Sequence, residues 1–234
     1  MKRFPSSHTK KVGGALFALL MMGGCQQALS AAPVESFVNA PAATRIAHEG
    51  PGRTQAIFAG GCYWGVEGVF SHVVGVTSAV SGFHGGGADT AQYERVSQGD
   101  TGHAESVRVT YDPSKIRYDQ LLRIYFSVVA DPTQRDRQGP DTGTQYRSAL
   151  VPLNDEQRRI ATAYLAQLRA ANLWHQPIVT RIEPFRHFYP AAADHQDFMA
   201  DNPDYPYTTV WDVPRIEALK RLFPTAYHAD FIRG

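Results

Sequence analysis

The sequence predicts an α+β fold, a two-layer α/β sandwich in which helices pack against a mixed sheet. Three observations point there. Stretches with the period-two alternation of strands are interleaved with stretches at helical spacing. Turn-forming pairs such as Gly60-Gly61, Asp112-Pro113 and Asp131-Pro132 separate them. A chain of 234 residues, 43% of them hydrophobic, suits one large domain with extensions better than two domains. No internal repeat is visible.

In chain order, Lys2, Arg3, Lys10 and Lys11 give a basic start, and Val12 to Met22 is apolar. That length matches the roughly 7–15 residues of a signal-peptide core and falls short of the roughly 20 that cross a membrane. Export to the periplasm or cell envelope is the expectation, and two cleavage sites fit. One lies before Cys25, after Met22-Gly23-Gly24, and would leave a lipidated cysteine; the other follows Ser30-Ala31-Ala32. The lipoprotein reading is preferred, because a cysteine directly after the small pair of an export signal is otherwise a coincidence. In both cases Cys62 is the only free thiol, and no internal disulfide can form. Residues 1–24 are thus expected to be the export signal, 25–52 an Ala/Pro-rich tether, 53–224 the folded domain and 225–234 a tail.

Within the domain, Thr54 to Ala59 is a strand ending in Gly60-Gly61, and Val66, Val69 and Phe70 mark a short helix face from Trp64 onward. Ser106, Arg108 and Thr110 alternate with Val107, Val109 and Tyr111 as in a half-buried strand. Tyr118, Leu121, Leu122, Tyr125, Val128 and Val129 are spaced as a helix that Asp131-Pro132 stops. Gln145 to Val151 reads as a strand, and Asn154 with Gln157 caps a helix running to about Ala171. Ile178 to Ile182 supplies a further strand, and Pro214 to Phe223 a short helix after a Pro- and Tyr-rich stretch.

Lys plus Arg number 23 against 22 for Asp plus Glu, so charge points to neither nucleic acid nor an anionic membrane. The chemistry gathers around AGGCYWGVEGVF, residues 59–70, where Cys62 lies at a strand-to-helix turn. A helix N-terminus is expected to lower its thiol pKa, since the positive end of the helix dipole favours the thiolate. Gly60 and Gly61 allow a sharp turn and close approach of a substrate. Tyr63 and Trp64 can wall an apolar box for a small methyl-bearing group. In GDTGHAESV, His103 and Glu105 open the alternating strand, and Glu105 shares the inward parity of Val107 and Val109. A carboxyl group facing a core is held protonated by desolvation and can donate a proton near neutral pH.

Other motifs lead nowhere. HGGG at 84–87 resembles an esterase oxyanion loop, but no G-x-S-x-G supplies a serine, so it is read as a turn. There is no GxGxxG, no phosphate-binding loop and no H-E-x-x-H; His187 and His195 are spaced too loosely for a metal site, and no metal is expected. A cysteine hydrolase would leave Glu105 without a role, and a binding protein that had lost activity would not need these positions filled.

Taken together, these motifs resemble the peptide-methionine (S)-S-oxide reductases, the A-type methionine sulfoxide reductases. GCYWG at 61–65 is similar to that family's GCFWG, and the likeness continues through QYERVSQGDTGHAESVRVTYDP, DPTQRDRQGPDTGTQYRSAL and HFYPAAADHQDFMADNP, covering roughly Thr54 to Pro224. The resemblance implies a two-layer sandwich with a ferredoxin-like core and thiol-dependent reduction of methionine (S)-sulfoxide, free or in oxidatively damaged proteins. It implies Cys62 as nucleophile, Glu105 as proton donor to the sulfoxide oxygen, and Tyr93 and Tyr146 as residues that hold that oxygen. Asp141 would order the pocket, and Tyr63 and Trp64 would cradle the S-methyl group. No cofactor is implied beyond an external thiol reductant, a thioredoxin-like protein or a small thiol, and a monomer is expected. Two departures stand out: Tyr63 replaces a usual Phe, and nothing after Cys62 can resolve a sulfenic acid as a disulfide, which suggests a single-cysteine variant.

Overall fold

Thr54–Gly60 is apolar on both faces, with Ala56 and Phe58 on one side and Ile57 on the other, as a strand inside a sheet must be. A computed structural model describes residues 37–234 and makes this segment the strand β1. The predicted export signal, Cys25 and the first part of the tether lie outside the described residues. The chain continues through α1 (Tyr63–Ser71), β2 (Val76–His84), a short α2 (Tyr93–Val96), β3 (Ala104–Tyr111) and α3 (Tyr118–Ile124). Next come two short strands, β4 (Arg137–Gln138) and β5 (Asp141–Thr142), followed by β6 (Ser148–Val151), α4 (Asp155–Ala171), β7 (Arg181–Ile182) and β8 (Phe188–Pro190). A single turn, α5 (Phe198–Asp201), and a final helix, α6 (Val213–Leu222), complete the order.

Six strands form one sheet in the order β7-β6-β1-β3-β2-β8; β6 and β7 are parallel and every other pair antiparallel, while β4 and β5 form a separate ribbon. This is the expected α+β fold with a mixed sheet. One face carries Ala56, Phe58, Val107, Val109 and Leu150 and is covered by Val66, Val69 and Phe70 of α1, Leu121 and Leu122 of α3, Ile160, Leu165 and Leu168 of α4, and Leu219 of α6. Ile57, Val151 and Phe188 cluster separately. Alternation therefore sends even positions of β1 and odd positions of β3 to the helical layer. Phe58 pairs with Val107, so two residues further on Gly60 and Glu105 reach the same end of the sheet.

Several elements differ from expectation for local reasons. β2 has no clear alternation in its sequence: it is built of Ser, Ala, Val and Gly, and its register shifts between Val76 and Ser78. At Gly82 a side chain would lie 2.4 Å from the Tyr189 carbonyl oxygen of the neighbouring β8. The helix expected through Val129 is α-helical only to Ile124 and widens into a π-turn over Tyr125–Val129. That turn aims the Tyr125 hydroxyl at the Ala59 carbonyl (2.6 Å) and Ser148 Oγ (2.7 Å), tying β1 to β6 beside the start of α1. The strand expected at Ile178–Ile182 shrinks to Arg181–Ile182, and that at Gln145–Val151 starts only at Ser148, after a 3-10 turn over Thr144–Tyr146. Asn154 caps α4 as expected, its Oδ1 accepting from the Gln157 N–H at 2.9 Å.

The tether needs correction over its second half. Residues 37–52 form no helix or strand, yet they are part of the folded body. Ala40 and Ala47 are buried. The Ala40 N–H donates to Ser127 Oγ, the Tyr164 hydroxyl donates to the Pro41 carbonyl, and the Ala47 N–H donates to Asp119. Glu49 accepts from the Tyr111 hydroxyl and the Tyr118 N–H. An Ala/Pro composition removes periodicity, but small residues and free carbonyls are what a strap needs to lie flat on helices. Likewise the 225–234 segment is docked: the N–H groups of His228 and Ile232 donate to His72 and Ser71 at the end of α1.

Candidate active site

The site is built where β1 gives way to α1. Gly61 takes φ +96°, a value that favours glycine, and a Cβ there would sit 2.6 Å from Gln138 of β4. This turn makes Cys62 the residue that caps α1, buried but not sealed at 8% exposure. The first N–H of the helix, that of Tyr63, donates to Glu105 Oε2 at 3.0 Å. Glu105 points inward by strand parity and is fully buried. Burial, opposed by that hydrogen bond and reinforced by the nearby Asp141, pushes its carboxyl up to about 8.

Cys62 departs from the expected acidity. Burial pushes its thiol well above the ordinary value, Glu105, Asp212 and Asp141 push the same way, and only the Trp64 N–H at the helix start opposes them. A desolvated, acid-lined position outweighs the helix terminus, so the free group rests as a thiol.

Tyr93, Asp141 and Tyr146 come from three separate segments, yet all lie close enough to Cys62 and Glu105 to feel their charge. Burial, then Glu105, holds the phenols of Tyr63, Tyr93 and Tyr146 in their protonated, donating form. Asp141 accepts a hydrogen bond from the Tyr207 hydroxyl. Trp64 stacks face to face on Phe198 (centroids 3.7 Å apart, planes 7°), with Tyr205 and Tyr207 edge-on at 6.1 and 6.0 Å. His195 lies against Tyr93 at 4.3 Å and Tyr63 at 5.7 Å. The Tyr63 hydroxyl finds no hydrogen-bond partner among the described residues.

Thus the structure brings Cys62, Tyr63, Trp64, Tyr93, Glu105, Asp141 and Tyr146 to one place; Cys25 lies outside the described residues. Tyr207, Phe198, His195 and the buried Asp212 and Arg215 belong to the same neighbourhood; His195 and Phe198 lie in the HFYPAAADHQDFMADNP stretch without having been given a site role, and Tyr207, Asp212 and Arg215 were not singled out at all. The unusual density of aromatic residues from His187 to Trp211 was the available signal. His103 is a brace: its Nδ1 accepts from the Gly86 N–H and its Nε2–H donates to the Gly87 carbonyl, which makes HGGG a turn pinned to β3. Arg147 holds the floor, pairing with both oxygens of Glu183 (2.8 and 3.1 Å) and donating to the carbonyls of Gly102, His103 and Thr144. It thereby joins the segment before Glu105 to the turn carrying Tyr146. Among the described residues no group of three or more His, Cys, Asp or Glu is placed to hold a metal ion.

A protonated carboxyl group, a thiol and phenol donors around a small aromatic bowl can bind a polarised oxygen and a methyl group while exposing the attached atom to sulfur attack. Comparison with known proteins agrees. The family model for peptide methionine sulfoxide reductase matches residues 54–226. A peptide methionine sulfoxide reductase of Mesorhizobium japonicum is 58% identical over 177 residues, 76% of this chain and 91% of its own, and one of Halobacterium salinarum is 42% identical over 74% and 97%. Among solved structures, methionine sulfoxide reductase A of Corynebacterium diphtheriae superposes with a TM-score of 0.56 at 36% identity, over 66% of this chain and 77% of that one. Reduced Mxr1 of Saccharomyces cerevisiae gives 0.56 at 30%, over 69% and 92%. The chain belongs to the peptide methionine sulfoxide reductase family and is an oxidoreductase that reduces methionine sulfoxide at the expense of thiols.

Proposed function

We propose that Cys62 is the nucleophile and Glu105 the acid of this reaction, working without a second cysteine. The observation that carries the reading is the buried Glu105 carboxyl, protonated below about 8 and hydrogen-bonded to the residue that follows Cys62. Cys62 sulfur attacks the sulfoxide sulfur as Glu105 gives its proton to the sulfoxide oxygen, and the thiol proton passes to the carboxylate left behind. The oxygen moves to Cys62, which becomes a sulfenic acid, and methionine leaves. Tyr93 and Tyr146 donate hydrogen bonds to the oxygen, Asp141 orients the pocket through Tyr207, and Tyr63 and Trp64 hold the methyl group. One external thiol then displaces water from the sulfenic acid to give a mixed disulfide, and a second releases Cys62 and a disulfide product. A thioredoxin-like protein or a small thiol fits this role.

Intact mass before and after methionine (S)-sulfoxide, with no reductant, tests the assignment. The wild type gains one oxygen, Cys62→Ser gains none and Glu105→Gln gains it slowly. No gain in the wild type, with the sulfoxide left unreduced, overturns it.

The basic start, the apolar run from Val12 to Met22 and the Gly23-Gly24-Cys25 triplet support an exported enzyme, lipidated at Cys25 and repairing envelope proteins. Labelled fatty acid incorporated by the wild type is absent from Cys25→Ala. Equal labelling of the two removes the anchor.

A further inference from the structure

Glu67 of α1 is, like Glu105 of β3, a wholly buried carboxyl group, and the proposed reaction leaves it unused. It follows Trp64 by three residues, on the same face of the helix. Its Oε2 accepts from the Asp197 N–H at 3.0 Å, and it faces Ser81 of β2. Burying a carboxylate is costly, and here burial raises the group to about 8, so at neutral pH it sits as the uncharged acid.

The partner of this bond explains its use. Asp197 stands in the left-handed region (φ +53°) and starts α5, the one-turn helix whose first residue, Phe198, stacks on Trp64. The next residue, Met199, presses its sulfur against Gly68, at 2.1 Å from where a Cβ would lie, so α5 is seated on a glycine next to Glu67. From the opposite side Arg233 pairs with Asp197 (3.3 Å) and Asp201 (2.6 Å), and the Gly234 N–H donates to Asp197 at 3.1 Å. The turn is gripped from within by α1 and from without by the docked 226–234 segment.

We propose that Glu67, with Arg233 on the outer side, is a positioning residue for the substrate pocket: it fixes the 197–201 turn so that Phe198 locks the plane of the Trp64 indole beside Cys62. This rests on Trp64 being a wall of the methyl pocket. Neither residue touches the reacting atoms, so their loss loosens substrate binding and leaves the chemical step in place.

Steady-state kinetics of the full chain with methionine (S)-sulfoxide and dithiothreitol test this in wild type, Glu67→Gln, Glu67→Leu, Phe198→Ala and the Glu67→Leu/Phe198→Ala double variant. Glu67→Gln keeps a neutral acceptor and stays within about twofold of the wild-type KM, whereas Glu67→Leu raises KM about tenfold, the scale of one lost buried hydrogen bond, with kcat within about threefold. The double variant is no worse than Phe198→Ala, because both act through one ring. A wild-type KM in Glu67→Leu, a loss confined to kcat, or additive effects in the double variant overturn the proposal. Should Glu67→Leu fail to fold, Arg233→Ala carries the test: KM rises about threefold in the wild-type background and not in Phe198→Ala, on the scale of an exposed ion pair, and an unchanged KM overturns it. A wild type without turnover would instead refute the reading of Cys62 and Glu105.

Discussion

At Cys62 two influences compete, and their order sets the pH behaviour. The N-terminus of α1 favours the thiolate, but burial and three neighbouring carboxyl groups favour the thiol more strongly. In the proposed reaction the nucleophile is therefore not charged in advance, and Glu105 acts both as donor to the oxygen and as the place the thiol proton can go. The proposed reaction needs Glu105 protonated, so kcat/KM with saturating reductant is expected to hold below about 8 and to fall as pH rises through that value. Glu105→Gln lowers kcat roughly 10²–10⁴-fold, the usual worth of a general acid, and removes this descending limb. A Glu105→Gln profile that still descends near pH 8 would assign the limb to another group. The placement of Cys62 at the strand-to-helix turn and of Glu105 on the inward face was legible in the sequence because a turn glycine pair and strand parity are local signals. Tyr207 was not, since its contact with Asp141 spans 66 residues and no local pattern announces it.

Among the elements, those with strong periodicity were readable and those set by partners were not. β1, β3, α1, α4 and α6 follow their apolar spacing, and Asn154 marks the start of α4. β2 is a strand because β3 and β8 pair with both its edges, which a run of Ser, Ala and Gly does not disclose. The strap at 37–49 is the clearest case, ordered by acceptors and donors on α3, α4 and β3 that lie far along the chain. Its contribution is measurable by comparing a chain beginning at Phe37 with one beginning at Arg53. The shorter chain loses the bonds of Ala40, Pro41, Ala47 and Glu49, each worth about 1 kcal/mol net, and leaves the Asp119 and Tyr164 groups without those partners. Its Tm is expected to fall by on the order of 10 °C. Turnover at saturating substrate stays close to that of the longer chain at temperatures where both are folded. Equal Tm values would return residues 37–52 to the status of a tether.

Across the whole molecule, two buried carboxyl groups on the α1 side of the sheet tie stability to pH. Glu67 and Glu105 both rise from an ordinary 4.5 to about 8 on folding, chiefly through desolvation. Between these values the native state binds more protons than the unfolded chain, so stability falls as pH rises and levels off above about 8. The opposite sign comes from His72, His84 and His103, whose burial lowers their pKa values, and from Glu183, lowered by Arg147. Those groups cost stability only as pH drops below their unfolded values, near 6.5 for histidine and 4.5 for Glu183. In the window from pH 7 to 8 the two carboxyl groups therefore dominate, since the raised Cys62 thiol adds its share, of the same sign, chiefly as pH approaches its unfolded value near 9.0. Over that window the wild-type denaturation midpoint declines, while Glu67→Gln and Glu105→Gln each halve the decline and the double variant is nearly flat. Parallel pH slopes in wild type and double variant would mean that both carboxylates are already ionised in the native protein, and the proton held beside Cys62 would have to come from elsewhere.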